Sequence, residues 1–315
     1  MIAKVFHHLS DALAAYADGL LQLHEFFERD QGDSEEADAI RDQMDMAWHE
    51  MSMSEQALAK VLAADLNRLT QQTAQDCESG AVPRLELAIN AADWASVLES
   101  LPACGTSIGP EIAAFLRGIA WHELGQGLVA IRFFREAHRL VPANPNITTC
   151  LIASLLREEL VHDAAAIAQS VVTAGTSNAP LYLKSVEAIS LDLLEHQDTA
   201  PLNHESLAKH AQAAITLATQ EQDDSLIPQI SGAHVDLALA WDALGKRDNA
   251  KQACRDALAL HSLNRDAYLL LGWLSTVEDD PNSPPSSQLY ELLKERATES
   301  PVSFPSSNTN WILKN

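Results

Sequence analysis

The chain has 315 residues, 47% of them hydrophobic and 21% charged, the composition of a soluble globular protein with room for one large core or two ordinary ones. Its formal net charge is −23, from 44 acidic and 21 basic residues, so long-range repulsion argues against direct binding to DNA, RNA or anionic membrane surfaces. Aromatic residues make up only 5% and glycine is scarce at 12, while Ala, Leu, Gln and Glu recur. Those residues lose little side-chain entropy in a helix, so the expected class is all-α. Residues 1–80 hold 16 of the acidic and 5 of the basic residues, which reads as a solvated helical surface or a contact surface for a basic partner. Cys77, Cys104, Cys150 and Cys254 are widely spaced and form no C-x-x-C pair, so they read as thiols outside any disulfide or zinc site. His7, His8 and Asp11 interrupt the first apolar run before it reaches the length of a signal peptide, and a cytoplasmic location is expected.

In chain order, Ile2, Phe6, Leu9, Leu13, Tyr16, Leu20, Leu23 and Phe27 form one apolar stripe at helical spacing, ending near Asp30. Gly32 breaks that helix, and Asp33 or Ser34 caps a second one. Its apolar positions Ile40, Met44, Trp48, Met51, Leu58, Leu62 and Leu69 continue to about Thr73, which predicts a long antiparallel hairpin over 1–80. Beyond Gly80 and Pro83, helices are predicted at 83–91, 93–101, 110–124, 127–140, 145–158, 161–174, 179–195, 204–219, 227–243, 247–260, 264–277 and 286–298. Loops rich in Pro, Asp, Asn and Ser separate several of them, at 199–204, 221–228 and 278–287. A Ser/Pro-rich tail fills 300–315.

A repeat underlies this series. In a unit of 34 residues that starts at Glu111, Gly118 falls at position 8, Trp121 at 11, Gly125 at 15, Ala130 at 20, Phe134 at 24, Ala137 at 27 and Pro142 at 32. A second unit from Ser231 carries Ala238, Trp241, Gly245, Ala250 and Ala257 at the matching places, so "WHELGQGLVAI" and "WDALGKRDNAK" are one turn written twice. A third begins at Arg265 with Ala267, Leu271 and Gly272; 145–178 reads as a degenerate unit and 179–230 as one stretched in its loops around Pro201 and Asp223. Small residues let two helices cross closely, so Gly118 is expected to face Ala130 with Trp121 and Phe134 beside them, while Gly125 ends the first helix in a left-handed conformation. This pattern resembles the tetratricopeptide repeat family over 81–299. The resemblance implies an α-solenoid, a right-handed superhelix of helix pairs, with the N-terminal hairpin covering its exposed end.

Gly125 to Ala130 also spell G-x-G-x-x-A, a dinucleotide fingerprint, but a helical pattern precedes Gly125 and no carboxylate stands about 20 residues on, so no cofactor is expected. No histidine pair has the spacing of a metalloprotease, and neither a metal nor a catalytic set is expected. What the resemblance does imply is a partner-binding groove lined by the first helix of each pair. Carried over by position, it holds Ile112, Phe115, Ile119, His122 and Glu123 in the first unit, Val235, Leu239 and Asp242 with Asp236 beside them in the second, and Leu269 and Trp273 in the third. This mixed apolar and acidic lining suits a protein or peptide segment with apolar anchors and basic residues. It lacks the cationic clamp by which some members of the family hold acidic peptides. The expected function is a non-enzymatic interaction scaffold. One alternative is an acidic cytoplasmic chaperone for a secreted or aggregation-prone client, similar in class to those of type III secretion. A more distant one is an enzyme with its site around Trp48, His49 and Glu50.

Overall fold

A computed structural model describes residues 10–70, 78–196, 200–276 and 293–296. They form two compact units, one within Met1–Ala143 and the other within Asn144–Val302. The first holds α1 (Asp11–Glu28), α2 (Glu35–Glu50), α3 (Met53–Thr70), α4 (Ala81–Asn90), α5 (Trp94–Cys104), α6 (Pro110–Glu123) and α7 (Gly127–Leu140). The second holds α8 (Pro145–Arg157), α9 (Val161–Ala174), α10 (Ala179–Glu195), α11 (Pro201–Glu221), α12 (Ile227–Ala243), α13 (Arg247–Leu260) and α14 (Arg265–Thr276), followed by one helical turn at 293–296. No strand occurs among the described residues, and none of their helices is long and apolar enough to cross a membrane. The predicted tail at 300–315 and Cys77 lie outside the described residues.

The N-terminal region departs from the expected hairpin. The apolar period that runs through Met44, Trp48, Met51 and Leu58 is broken at Met51, whose ψ of 144° is extended, and a separate α3 starts two residues on. The cause is the local sequence Ser52-Met53-Ser54-Glu55, a capping box. Glu55 Oε2 accepts from the Ser52 backbone N–H at 2.8 Å and from its hydroxyl at 2.7 Å, while Ser52 Oγ accepts from the Glu55 N–H at 3.3 Å. Its other oxygen accepts the Ser10 N–H at 3.0 Å, which pins the start of α1 to the start of α3. Helix α1 then packs on both successors, through Leu23 with Ala37, Ile40 and Met44, and through Leu13 with Met51 and Ala59.

Those hydrogen bonds, from Ser10 first and then Ser52, hold the Glu55 carboxyl down at about 2. A depressed carboxylate stabilises the fold above its unfolded-state value and ceases to do so as pH falls through its folded-state value. Glu55→Gln, which keeps one acceptor and loses the charge, is expected to cost about 1 kcal/mol at pH 7, within the range for a lost cap. Urea denaturation repeated from pH 5 down to pH 3 should show that difference shrinking. A cost independent of pH would mean that packing, not the carboxylate, holds this junction.

The repeat turns follow their predicted form in atomic detail. Gly125 takes φ 81°, its N–H donates to His122 O at 2.9 Å, and the Gln126 N–H donates to Trp121 O at 2.8 Å. Gly245 takes φ 70° with the matching pair, Gly245 N–H to Asp242 O and Lys246 N–H to Trp241 O, both at 2.8 Å. This is the Schellman termination of a helix. The same two hydrogen bonds recur around Asp30, Ala92 and Glu159, residues other than glycine that nonetheless take φ between 53° and 59°. Helix pairs therefore close alike at 92, 125, 159 and 245, although only two of these turns carry glycine.

Gly118 differs from expectation in what it meets. A β-carbon there would lie 2.5 Å from Cδ1 and Cε1 of Phe134, so the glycine makes room for that ring. Phe134 in turn packs on Phe115, with centroids 5.7 Å apart. Pro201, expected in a loop, is the first residue of α11, where proline's fixed φ suits a helix and its missing N–H costs nothing. The extra length of that unit accordingly lies in a long helix. Cys104, Cys150 and Cys254 are buried thiols.

In the second unit, α8, α10, α12 and α14 pack side by side in a row, with α9, α11 and α13 interleaved between them along the chain. A buried polar relay fixes the last two pairs. Ser231 Oγ donates to Ala257 O at 2.8 Å and accepts from Asn264 Nδ2 at 2.7 Å, while Asn264 Oδ1 caps α14 through the Ala267 N–H at 3.0 Å.

Candidate functional site

The residues expected to line a groove fall in both units. In the first, Phe115, Ile119 and His122 are buried, while Ile112 and Glu123 are partly exposed. In the second, Val235, Asp236 and Leu239 are buried, Asp242 and Trp273 are half-buried, and Leu269 is exposed at 43%. Burial of six of the eleven means that these side chains pack within the chain as it stands.

Asp236 marks the chemically distinctive place. It is 1% exposed, and beside it lie Asp266 at 6% and Glu187 at 9%, so α10, α12 and α14 each bring one buried carboxylate to a common point. Buried carboxylates persist only when charge-paired and hydrogen-bonded. The partner is Arg296, from the helical turn at 293–296. Its Nη2 donates to Asp236 Oδ1 at 3.1 Å, its Nε to Glu187 Oε1 at 3.3 Å and its Nη1 to Asp266 Oδ2 at 3.4 Å. Each nitrogen of the guanidinium meets a different helix. Lys184 Nζ, one turn before Glu187 on α10, closes the set at 2.6 Å from Glu187 Oε2.

Charge and burial oppose one another across this cluster. Burial pushes the carboxyls of Asp236 and Asp266 above their ordinary range, and Arg296, joined by Arg265 at Asp266, pulls them back only in part. Burial acts against Glu187 as well, but Lys184 and Arg296 together hold its carboxyl below the usual value. Burial would lower Arg296, yet Asp236, Glu187 and Asp266 raise it above the ordinary arginine value. Three acids against two bases leave the cluster short of one positive charge. The turn that delivers Arg296 is held by three further contacts: Leu293 is fully buried, Lys294 Nζ lies 2.7 Å from Glu159 Oε2, and Arg265 Nη1 lies 3.2 Å from Glu295 Oε2.

Sequence reading found Asp236 and missed its companions. Asp266 was within reach, since it stands at position 2 of the third unit, a groove position in the family that the repeat resembles. Glu187 sits in the stretched unit, where no aligned position marks it. Arg296 belongs to the predicted helix 286–298, of which only 293–296 is described.

The other candidates resolve simply. The G-x-G-x-x-A string joins helix to helix, with Gly125 in the left-handed turn. Trp48 packs on Tyr16 at 5.6 Å and under Lys60 at 5.6 Å, while His49 and Glu50 are exposed at the end of α2. In the second unit, Asp192 Oδ1 lies 3.2 Å from His162 Nδ1 and 3.3 Å from His196 Nδ1, two exposed histidines about a half-buried aspartate whose atoms are close enough to share a divalent cation.

No family model matches the chain, and no curated protein matches it. Among solved structures it is similar to MamA of AMB-1, at 15% identity over 59% of this chain and 99% of that one with a TM-score of 0.43, and to MamA of MSR-1, at 16% over 58% and 95% with a TM-score of 0.42. A thermophilic TPR protein of Thermus thermophilus is similar at 19% identity over 58% of this chain and 98% of that one, with a TM-score of 0.37. The described residues are all-α, built of helix pairs several of which close on a recurring Schellman turn.

Proposed function

We propose that this chain is a non-enzymatic protein-interaction module, and that the row of α10, α12 and α14 receives a partner segment bearing basic and apolar residues. The observation that supports this reading is the convergence of Glu187, Asp236 and Asp266 from three successive first helices on one cationic group. A core built for stability alone gains little from buried charge, because apolar residues of the same volume do as well or better. Exposed Leu269 and half-buried Trp273 supply apolar surface on α14, the last helix of this row. We place the protein in the cytoplasm, since buried thiols at Cys104, Cys150 and Cys254 suit a reducing compartment.

The test is an array of protein segments probed with the full chain, its Glu187→Gln/Asp236→Asn/Asp266→Asn variant, and Leu269→Asp. Segments captured by the native chain and lost by both variants are the expected result. Capture patterns unchanged in both would remove this face from the function.

A further inference from the structure

Arg296 pairs with three buried carboxylates that all lie far from it in sequence. It comes from 30 residues beyond Asp266, 60 beyond Asp236 and 109 beyond Glu187. The residues that carry it, 293–296, are seated by Leu293, which is fully buried, and by the ion pairs of Lys294 with Glu159 and of Glu295 with Arg265. Sixteen residues, 277–292, connect it to the end of α14, and they include Pro281, Pro284 and Pro285.

We infer that this turn is an internal occupant of the site, and that the site's external ligand is an arginine side chain presented on one helical turn behind an apolar residue, as Leu293 precedes Arg296. This rests on the interaction reading given above and adds the ligand's chemistry and its regulation. The site specifies a guanidinium in geometry, since three nitrogens reach three carboxylates from different directions, which a lysine ammonium on a flexible stem does not reproduce. It does not specify whose guanidinium it is. Exchange of one arginine for another keeps every buried charge paired, whereas leaving without replacement strands them. The chain's own turn therefore holds the site closed against weak or non-arginine segments. A partner must compete with an intramolecular ligand, whose effective concentration is set by the length of chain that joins it to the site.

The experiment uses the full chain and a labelled peptide of its own residues 289–300, LYELLKERATES, with a second peptide in which citrulline replaces the arginine. Fluorescence anisotropy should show the arginine peptide binding Arg296→Gln at least tenfold more tightly than the native chain. Citrulline, equal in shape and without charge, should lose at least tenfold. Adding Glu187→Gln, Asp236→Asn and Asp266→Asn to Arg296→Gln should abolish the gain. If Arg296→Gln fails to fold, Leu293→Ala, which loosens the seat and retains the arginine, should show the same gain in the same direction. Equal affinity for native and opened chains, or for arginine and citrulline peptides, overturns the inference. No binding of the peptide to any folded variant, while segments in the array still depend on the three carboxylates, would overturn self-occupancy and leave the interaction reading intact.

Discussion

Arg296→Ala is expected to lower the unfolding free energy of the full chain by about 3–5 kcal/mol at neutral pH, the cost of leaving buried charge without its partner. The effect has a sign in pH that packing loss lacks. With the guanidinium gone, burial is opposed only by a Ser190 hydrogen bond at Asp236 and by the Arg265 charge at Asp266, so the folded-state values of both rise further above their unfolded ones. The folded variant then holds protons that its unfolded chain releases, and its stability falls as pH rises through those values. The difference from the native chain should accordingly widen between pH 5 and pH 8 in urea denaturation. Arg296→Lys should recover only part of it, since one ammonium cannot meet three carboxylates from α10, α12 and α14 at once. A small difference that stays constant with pH would show that the carboxylates are satisfied by other means.

Most of the helices were legible because their ends carry local chemistry. Asn144 and Asn178 cap α8 and α10 with their side chains, Pro145 and Pro180 follow in the first turns, and Gly125 and Gly245 close two others. These signals act within a few residues, so they can be read without knowing the fold. The break at Met51 was hidden for the opposite reason: the apolar period runs through it, and the short cap at Ser52 and Glu55 outweighs a longer but weaker pattern. Ala92 and Glu159 adopt the glycine conformation without glycine, held by the same two hydrogen bonds, so the turns they make carried no residue-level mark. The acidic cluster was the least legible. In a chain with 44 acidic residues, Glu187 and Asp266 look like surface residues, and only the packing of three helices shows them buried around one distant arginine.

Gly118→Ala tests the helix crossing in the first unit, and its sign depends on Phe134. Within a helix such as α6, alanine is favoured over glycine by about 1 kcal/mol through backbone entropy, so an unobstructed substitution would stabilise the chain. Here the new β-carbon would meet Phe134 Cδ1 and Cε1 at 2.5 Å. Phe134 is fully buried and rests against Phe115, so its ring has little freedom to yield. Gly118→Ala is therefore expected to destabilise by about 1–3 kcal/mol, the usual cost of overpacking. Phe134→Ala alone should cost about 3–5 kcal/mol as a large cavity in the core. In that background the obstruction is gone, and Gly118→Ala should become stabilising. The cycle of four proteins measured by chemical denaturation then yields a coupling of the size seen for residues in contact. If Gly118→Ala costs the same with and without the Phe134 ring, the glycine is needed for its approach to another residue, as the expected pairing with Ala130 would have it. A change of sign instead assigns the closeness of α6 and α7 to one ring lying on one glycine.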